Sequence, residues 1–174
     1  MRGWATIISA LAMLAGAGAA EAHPHVWIKV RSEVLFAPVT GVRHAWSFDE
    51  MYTSYALQGL ESKQKGVYTR EDLAPLAQTN IESLKEFKYF TFARLAGKKE
   101  RFAEPIDYAR DHMDGALVLT FTLPLKAPLK PTELLLEVYD PSFFIDFSFE
   151  DADPVKLVAA PAACKSALQR PNDG

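Results

Sequence analysis

The sequence predicts an α+β fold: an antiparallel sheet or β-sandwich with a two-helix, EF-hand-like insertion after the first hairpin. Three observations carry this. Apolar and polar residues alternate with period two in two runs between His25 and Asp49. The spacing then changes to that of helices over two segments. Strand-like runs return from Tyr89 onward, separated by Gly-, Asp- and Pro-containing turns.

The first element stands outside the fold. Arg2 is followed by an uncharged run, Trp4 to Ala20, and the small-x-small triplet Ala20-Glu21-Ala22 closes it. This is the pattern of a signal peptide, residues 1–22, cut after Ala22, and it predicts export to a periplasmic compartment. The apolar run is short of the ~20 residues of a spanning helix and rich in Ala and Gly, so no membrane span is expected after processing. Removing residues 1–22 from the 174-residue chain leaves 152. A chain of that length buries roughly two-thirds of its unfolded surface in one core. It is too short for the two lobes of a usual solute-binding protein, given domains of about 100–150 residues. Residues 23–158 are therefore taken as one domain. Residues 159–174, rich in Ala, Pro and polar side chains, are expected to form a disordered tail.

In the run His25 to Phe36, Val26, Ile28, Val30 and Val34 share one face, while His25, Trp27, Lys29, Arg31 and Glu33 share the other. That is a half-buried strand with His25 on its polar side. Pro38 and Gly41 bracket a turn, and Val42 to Asp49 completes a hairpin. His44 has the parity of Val42, Trp46 and Phe48. It is either a core histidine satisfied by a hydrogen bond or an inward-facing ligand. With the two strands side by side, His44 and the amino terminus can meet at one edge.

Asp49 to Gly59 reads as a short helix with acidic residues at its start. Thr69 and Asp72 make a capping-box start for a second helix. Leu73, Leu76, Ala77, Ile81, Leu84 and Phe87 then follow its apolar face, with Pro75 limiting where it begins. Between the helices, Gly66 falls at the glycine of an EF-hand loop running from Glu61 to Asp72. Its third and fifth positions, which should supply oxygen ligands, are Lys63 and Lys65. Two ammonium groups repel a divalent cation, so calcium is not expected there. The remaining strands are Tyr89–Leu95, Ile106–Arg110, Ala116–Leu123, Leu134–Tyr139 and Phe143–Phe149.

Composition excludes several functions. The net charge is −3 and no basic run or basic aromatic face is present, which argues against nucleic acid. Cys164 is the one cysteine, so neither an internal disulfide nor a thiolate zinc cluster can form. No nucleophile-elbow glycine pattern, HExxH or P-loop occurs. Catalysis is not expected.

The chemistry concentrates instead in four histidines, His23, His25, His44 and His112. Cleavage after Ala22 frees an α-amine, of ordinary pKa ~7.7–8, on His23. Amine and imidazole can close one chelate ring on a metal, with His25 two residues on. Pro24 has no N–H, so a deprotonated second amide cannot join. The candidate ligands are His23, His25, His44, Asp49 and Glu50. Such nitrogen-rich, tetragonal ligation favours Cu(II) or Ni(II), and a carboxylate admits Zn(II). His112-Met113, between two aspartates, is a second candidate, against the plainer reading of a hairpin turn.

The segments HPHVWIKV, RHAWSFDEMYTSYALQGL, YTREDLAPLAQTNIESLKEFKYFTFA, LTFTLPLK and LEVYDPSFFIDFSF together resemble a bacterial family of domains of unknown function. Its members are often labelled the periplasmic component of an uncharacterised ABC-type transport system. The resemblance covers His23 to about Leu157. It implies an exported accessory, in some members associated with nickel, cobalt or zinc transporters, and a partner in an inner-membrane metal transporter. Members often carry an acidic, EF-hand-like loop where this chain has its lysines. Two other readings stand beside a metal-binding accessory. One is a copper enzyme, because a histidine brace resembles the site of copper polysaccharide monooxygenases, with Trp27 and Trp46 as its aromatic surface. The other is an interaction module whose histidines bind no metal.

Overall fold

A computed structural model describes residues 24–36, 39–129 and 132–170, so the expected signal peptide and His23 lie outside the described residues. Strands β1 (Val26–Leu35) and β2 (Val39–Phe48) are followed by helices α1 (Glu50–Ala56) and α2 (Arg70–Leu84). Strands β3 (Thr91–Leu95), β4 (Lys98–Glu100), β5 (Ile106–Met113), β6 (Ala116–Leu129), β7 (Leu134–Val138), β8 (Ile145–Phe149) and β9 (Val155–Val158) complete the order. The described residues thus form a mixed fold, with two α-helices and mostly antiparallel sheets.

The larger sheet runs β5-β6-β2-β1-β8, and β9 continues beside β1 beyond the end of β8. Both β8 and β9 lie parallel to β1, along Val26–Val30 and Ser32–Leu35 respectively. Alternation identifies the buried face of a strand and says nothing about the direction of its neighbour, so sequence reasoning had no signal for these parallel pairs. The smaller sheet, β4-β3-β7, is antiparallel throughout.

The strand ends differ from expectation in two places. β2 begins at Val39 rather than Val42, and Gly41 lies inside it. A Cβ on Gly41 would stand 2.6 Å from the Leu123 carbonyl oxygen of β6, so the strands can approach this closely only with glycine there. β5 runs on to Met113, and the turn is confined to Asp114-Gly115, both with positive φ. Paired positive φ matches the natural twist of a two-residue hairpin.

Asp49 caps α1, and the capping box of Thr69 with Asp72 opens α2. Pro75 sits in the second turn of α2, where it deletes the bond to the Glu71 carbonyl. Burial of Leu73, Ala77 and Ile81 against the sheet holds the helix through this loss. α2 ends at Leu84, before the expected Phe87, because the chain turns through positive φ at Lys88, Tyr89 and Phe90. The segment between the helices holds a small turn closed by a Gln64–Val67 bridge.

One face of the larger sheet presents Ile28, Val30, Trp46, Phe48, Leu119, Phe121 and Leu123. Ala77 and Ile81 of α2, the Tyr89-Phe90 turn and Val138 of the smaller sheet pack over it. Residues 159–170 form no further helix or strand, and the Arg170 guanidinium donates to the Phe149 and Glu150 carbonyls at 2.6 and 2.9 Å.

Candidate functional site

The two histidines of the first hairpin that lie among the described residues occupy different environments. His25 stands at the entrance to β1, exposed, with its backbone N–H donating to the Phe144 carbonyl at 2.8 Å. Its ring lies against the Phe144 ring, centroids 5.0 Å apart and tilted by 34°. Among the described residues, no group hydrogen-bonds its ring nitrogens.

Phe144 is positioned by Asp140. The Asp140 carboxylate accepts from the Ser142 N–H and hydroxyl at 2.8 and 2.7 Å, and from the Phe144 and Ile145 N–H groups at 3.2 and 3.0 Å. Burial pushes this carboxyl up. The donors from Ser142, Ile145 and Phe144 outweigh it and hold the group below the usual carboxylate range. The turn wrapped around Asp140 leaves Phe143 70% exposed and delivers Phe144 to His25.

Asp49 closes the other side. Its Oδ1 accepts from the Tyr52 N–H at 2.8 Å, capping α1, and its Oδ2 accepts from the Trp27 N–H at 2.9 Å, tying β1 to the helix start. Both oxygens therefore already hold backbone amides. Glu50 is exposed at the first position of α1, beside the exposed Met51. Among the described residues, no three His, Cys, Asp or Glu side chains come together as a metal-binding group. A site at this end needs His23, outside the described residues.

His44 is elsewhere. The strands do lie side by side, but their register sets His44 opposite Ser32, seven positions along β1 from His25. At the rise of an extended strand, that is about 23 Å. This register therefore sets His44 far from His25, the histidine of the amino-terminal end that is described. His44 is 0% exposed, with Nδ1 2.9 Å from Ser32 Oγ and Nε2 3.2 Å from Thr91 Oγ1. The Thr91 hydroxyl donates its one proton to the Tyr89 carbonyl at 2.8 Å. Its oxygen can then only accept, which places the imidazole proton on Nε2 and leaves Nδ1 to take the Ser32 proton. Burial lowers the His44 pKa to about 3, so the ring is neutral and both nitrogens are spoken for.

The chain matches the protein of unknown function DUF1007 over residues 8–174. It belongs to that family. A Spirochaeta aurantia protein described as an uncharacterized 15.5 kDa protein in the trpE 3′ region is 32% identical over 93 residues, 53% of this chain. The alignment spans 66% of that relative, just under two thirds of its length. An uncharacterized protein of Haemophilus influenzae is 24% identical over 155 residues, covering 87% of this chain and 74% of the relative. No solved structure matches the chain.

The remaining sequence candidates separate in this DUF1007 protein. Trp27 is 45% exposed beside the His25 end, whereas Trp46 is wholly buried against Phe121 and Phe147, so the two indoles share no surface. His112 is in β5 rather than in a turn, half-buried and edge-on to Tyr68 at 5.7 Å. Its neighbour Asp111 accepts both Nε and Nη2 of Arg70 at 2.6 and 2.8 Å.

Sequence reasoning missed Ser32, Asp140 and Phe144. Ser32 interrupts the valines of the core face, a polar residue at an apolar parity, and a partner opposite it was the readable consequence. Asp140-Pro141-Ser142 carries the composition of a side-chain-capped turn. Nothing in the chain pointed to Phe144 as a neighbour of His25.

Proposed function

We propose that this protein is an exported, periplasmic accessory that binds one transition metal ion at its mature amino terminus, with His23 and His25 as ligands. The observation that supports this is the state of His25: exposed, held at the edge of β1 by backbone pairing and contact with the Phe144 ring, with no hydrogen bond to its ring nitrogens among the described residues. The His23 amine and imidazole would complete a three-nitrogen set, and Glu50, exposed at the start of α1, is the candidate carboxylate. Asp49 serves the set as the clasp between Trp27 and α1 rather than as a ligand, and His44 is left out of it. Three nitrogens suit Cu(II) or Ni(II), and a carboxylate extends the range to Zn(II) or Co(II).

Delivery to a metal transporter is the second half of the proposal. It rests on the resemblance described above, and the exposed Phe143, Phe144, Met51 and Tyr55 around this end support docking on a partner. We read residues 61–72 as an EF-hand-shaped loop whose Lys63 and Lys65 reject calcium.

The test is calorimetric titration of host-processed protein, its first residue established by intact mass, with Cu(II), Ni(II), Co(II) and Zn(II). A control carries one extra residue before His23. One ion bound tightly by the native form and weakly by the control is the expected result. Equal binding by both forms, or binding by neither, removes the amino-terminal site.

A further inference from the structure

An open sheet edge is a template for another strand, and folded chains guard theirs. Among the described residues, the edges of the two sheets are guarded in different ways. β4 spans three residues, and two of them are Lys98 and Lys99. β5 is broken by an irregularity between Ile106 and Ala109, where Asp107 takes φ 51°. β9 has four residues and exposes Lys156. β8 has side chains seated on its outer edge: the Ile145 N–H donates to Asp140 Oδ2 at 3.0 Å, and the Phe149 carbonyl accepts from Arg170 at 2.6 Å. β7 is the exception.

β7 pairs with β3 alone. The Tyr139 N–H donates to the Phe90 carbonyl at 3.1 Å, so Tyr139, and by alternation Glu137 and Leu135, turn their backbone groups to β3. Leu134, Leu136 and Val138 turn theirs outward, and no described strand meets them. No proline, lysine, glycine or bulge interrupts β7. Its one charge, Glu137, accepts from Arg94 Nε of β3 at 3.3 Å. The side chains show the same opening. Leu134 and Leu136 pack against Val34, Val39 and Leu125, yet they are only partly buried, where those three are at most 8% exposed. On the other face of the strand Leu135 is 49% exposed, and Tyr139 just beyond it 41%.

We propose that β7 is the contact through which this protein forms a two-fold dimer, its partner being a second copy of the chain. The open edge is complementary to itself. With the axis at Leu136, the Leu136 residues of the two copies exchange both backbone hydrogen bonds, and Leu134 of each copy exchanges both with Val138 of the other. Every outward group of the strand is then satisfied. Leu135 of one copy falls opposite Glu137 of the other, so no like charges are opposed. An unrelated strand would meet the same backbone groups but bring an outer edge of its own. A second copy closes both open edges at once. The two smaller sheets become one, in the order β4-β3-β7-β7-β3-β4, and its ends are the short, lysine-bearing β4 strands. The contact is independent of the amino-terminal metal reading, since it uses none of its residues.

Sedimentation equilibrium of the host-processed protein from about 1 μM to about 1 mM tests it, with EDTA present so that no metal bridges the copies. The expected result is a reversible rise from monomer to dimer mass, and nothing larger. Over the same range, amide exchange at Leu134, Leu136 and Val138 should slow, while that at Phe147 of β8 stays unchanged. Leu136→Pro removes the central outward N–H and none that β3 uses. It is expected to weaken the dimer at least about tenfold. The exchange pattern is read on the wild-type chain, so it holds whether or not that variant folds. The proposal is overturned by monomer mass throughout, by a dimer whose protection falls on β8 rather than β7, or by a folded Leu136→Pro chain that dimerises as the wild type does.

Discussion

The two ends of the first hairpin place the same side chain in opposite situations. At one end His25 is exposed, anchored through its backbone and its contact with the Phe144 ring, and no described residue hydrogen-bonds its ring nitrogens. Seven positions along, His44 is sealed under the smaller sheet, with both nitrogens engaged by Ser32 and Thr91. A histidine's availability is decided by what its neighbours accept and donate rather than by parity alone. A ligand must keep a lone pair for the metal. His44 has given its lone pair to a serine and its proton to a threonine.

Substitutions separate the two ends, and the largest effect belongs to the buried one. His44→Ala removes a fully packed ring and strands the Ser32 hydroxyl, and is expected to cost roughly 3–4 kcal/mol in urea unfolding. Metal affinity of the folded fraction should stay unchanged. Acid should act on the same residue. With its folded pKa lowered to about 3, His44 binds its proton more readily in the unfolded chain. Its contribution is therefore complete above the ordinary histidine pKa of about 6.5 and is lost as pH falls from there toward 3. The slope is about 1.4 kcal/mol per pH unit. Stability measured from pH 7 to 4 should show this slope in the wild type, and a His44→Gln chain should lack it.

The exposed end gives smaller numbers. Asp49→Ala removes the α1 cap and the Trp27 clasp together, for an expected loss of about 1–2 kcal/mol. Asp49→Asn keeps one acceptor oxygen and sets its NH2 against the other N–H, so it should recover only part of the loss, with metal affinity unchanged. His25→Ala should cost under about 0.5 kcal/mol, as exposed substitutions do. Its effect should be confined to metal affinity. A large stability loss in His25→Ala would break the contrast between the two ends.

Much of the architecture was legible. The hairpin, the capping box at Thr69 and Asp72, and the alternating strands after Tyr89 all follow from local periodicity and local hydrogen bonding. What was not legible is non-local. The parallel seating of β8 and β9 on β1 brings Phe144 to His25, and no pattern within either segment encodes it. The separation of His44 from His25 is local by contrast: a turn between Phe36 and Val42 already sets His44 opposite the far part of β1. The burial of Arg110 was hidden, because its strand reads as polar at five of its eight positions (Asp107, Tyr108, Arg110, Asp111 and His112) while packing under α2.

The most direct test of the contrast between the two ends is paramagnetic. Substoichiometric Cu(II) is added to the 15N-labelled, processed protein and the loss of amide signals is mapped. The expected result is broadening centred on His25, Trp27, Asp49 and Glu50, with Ser32, His44 and Thr91 left sharp. Broadening centred on His44, or none at the amino-terminal end, would contradict it.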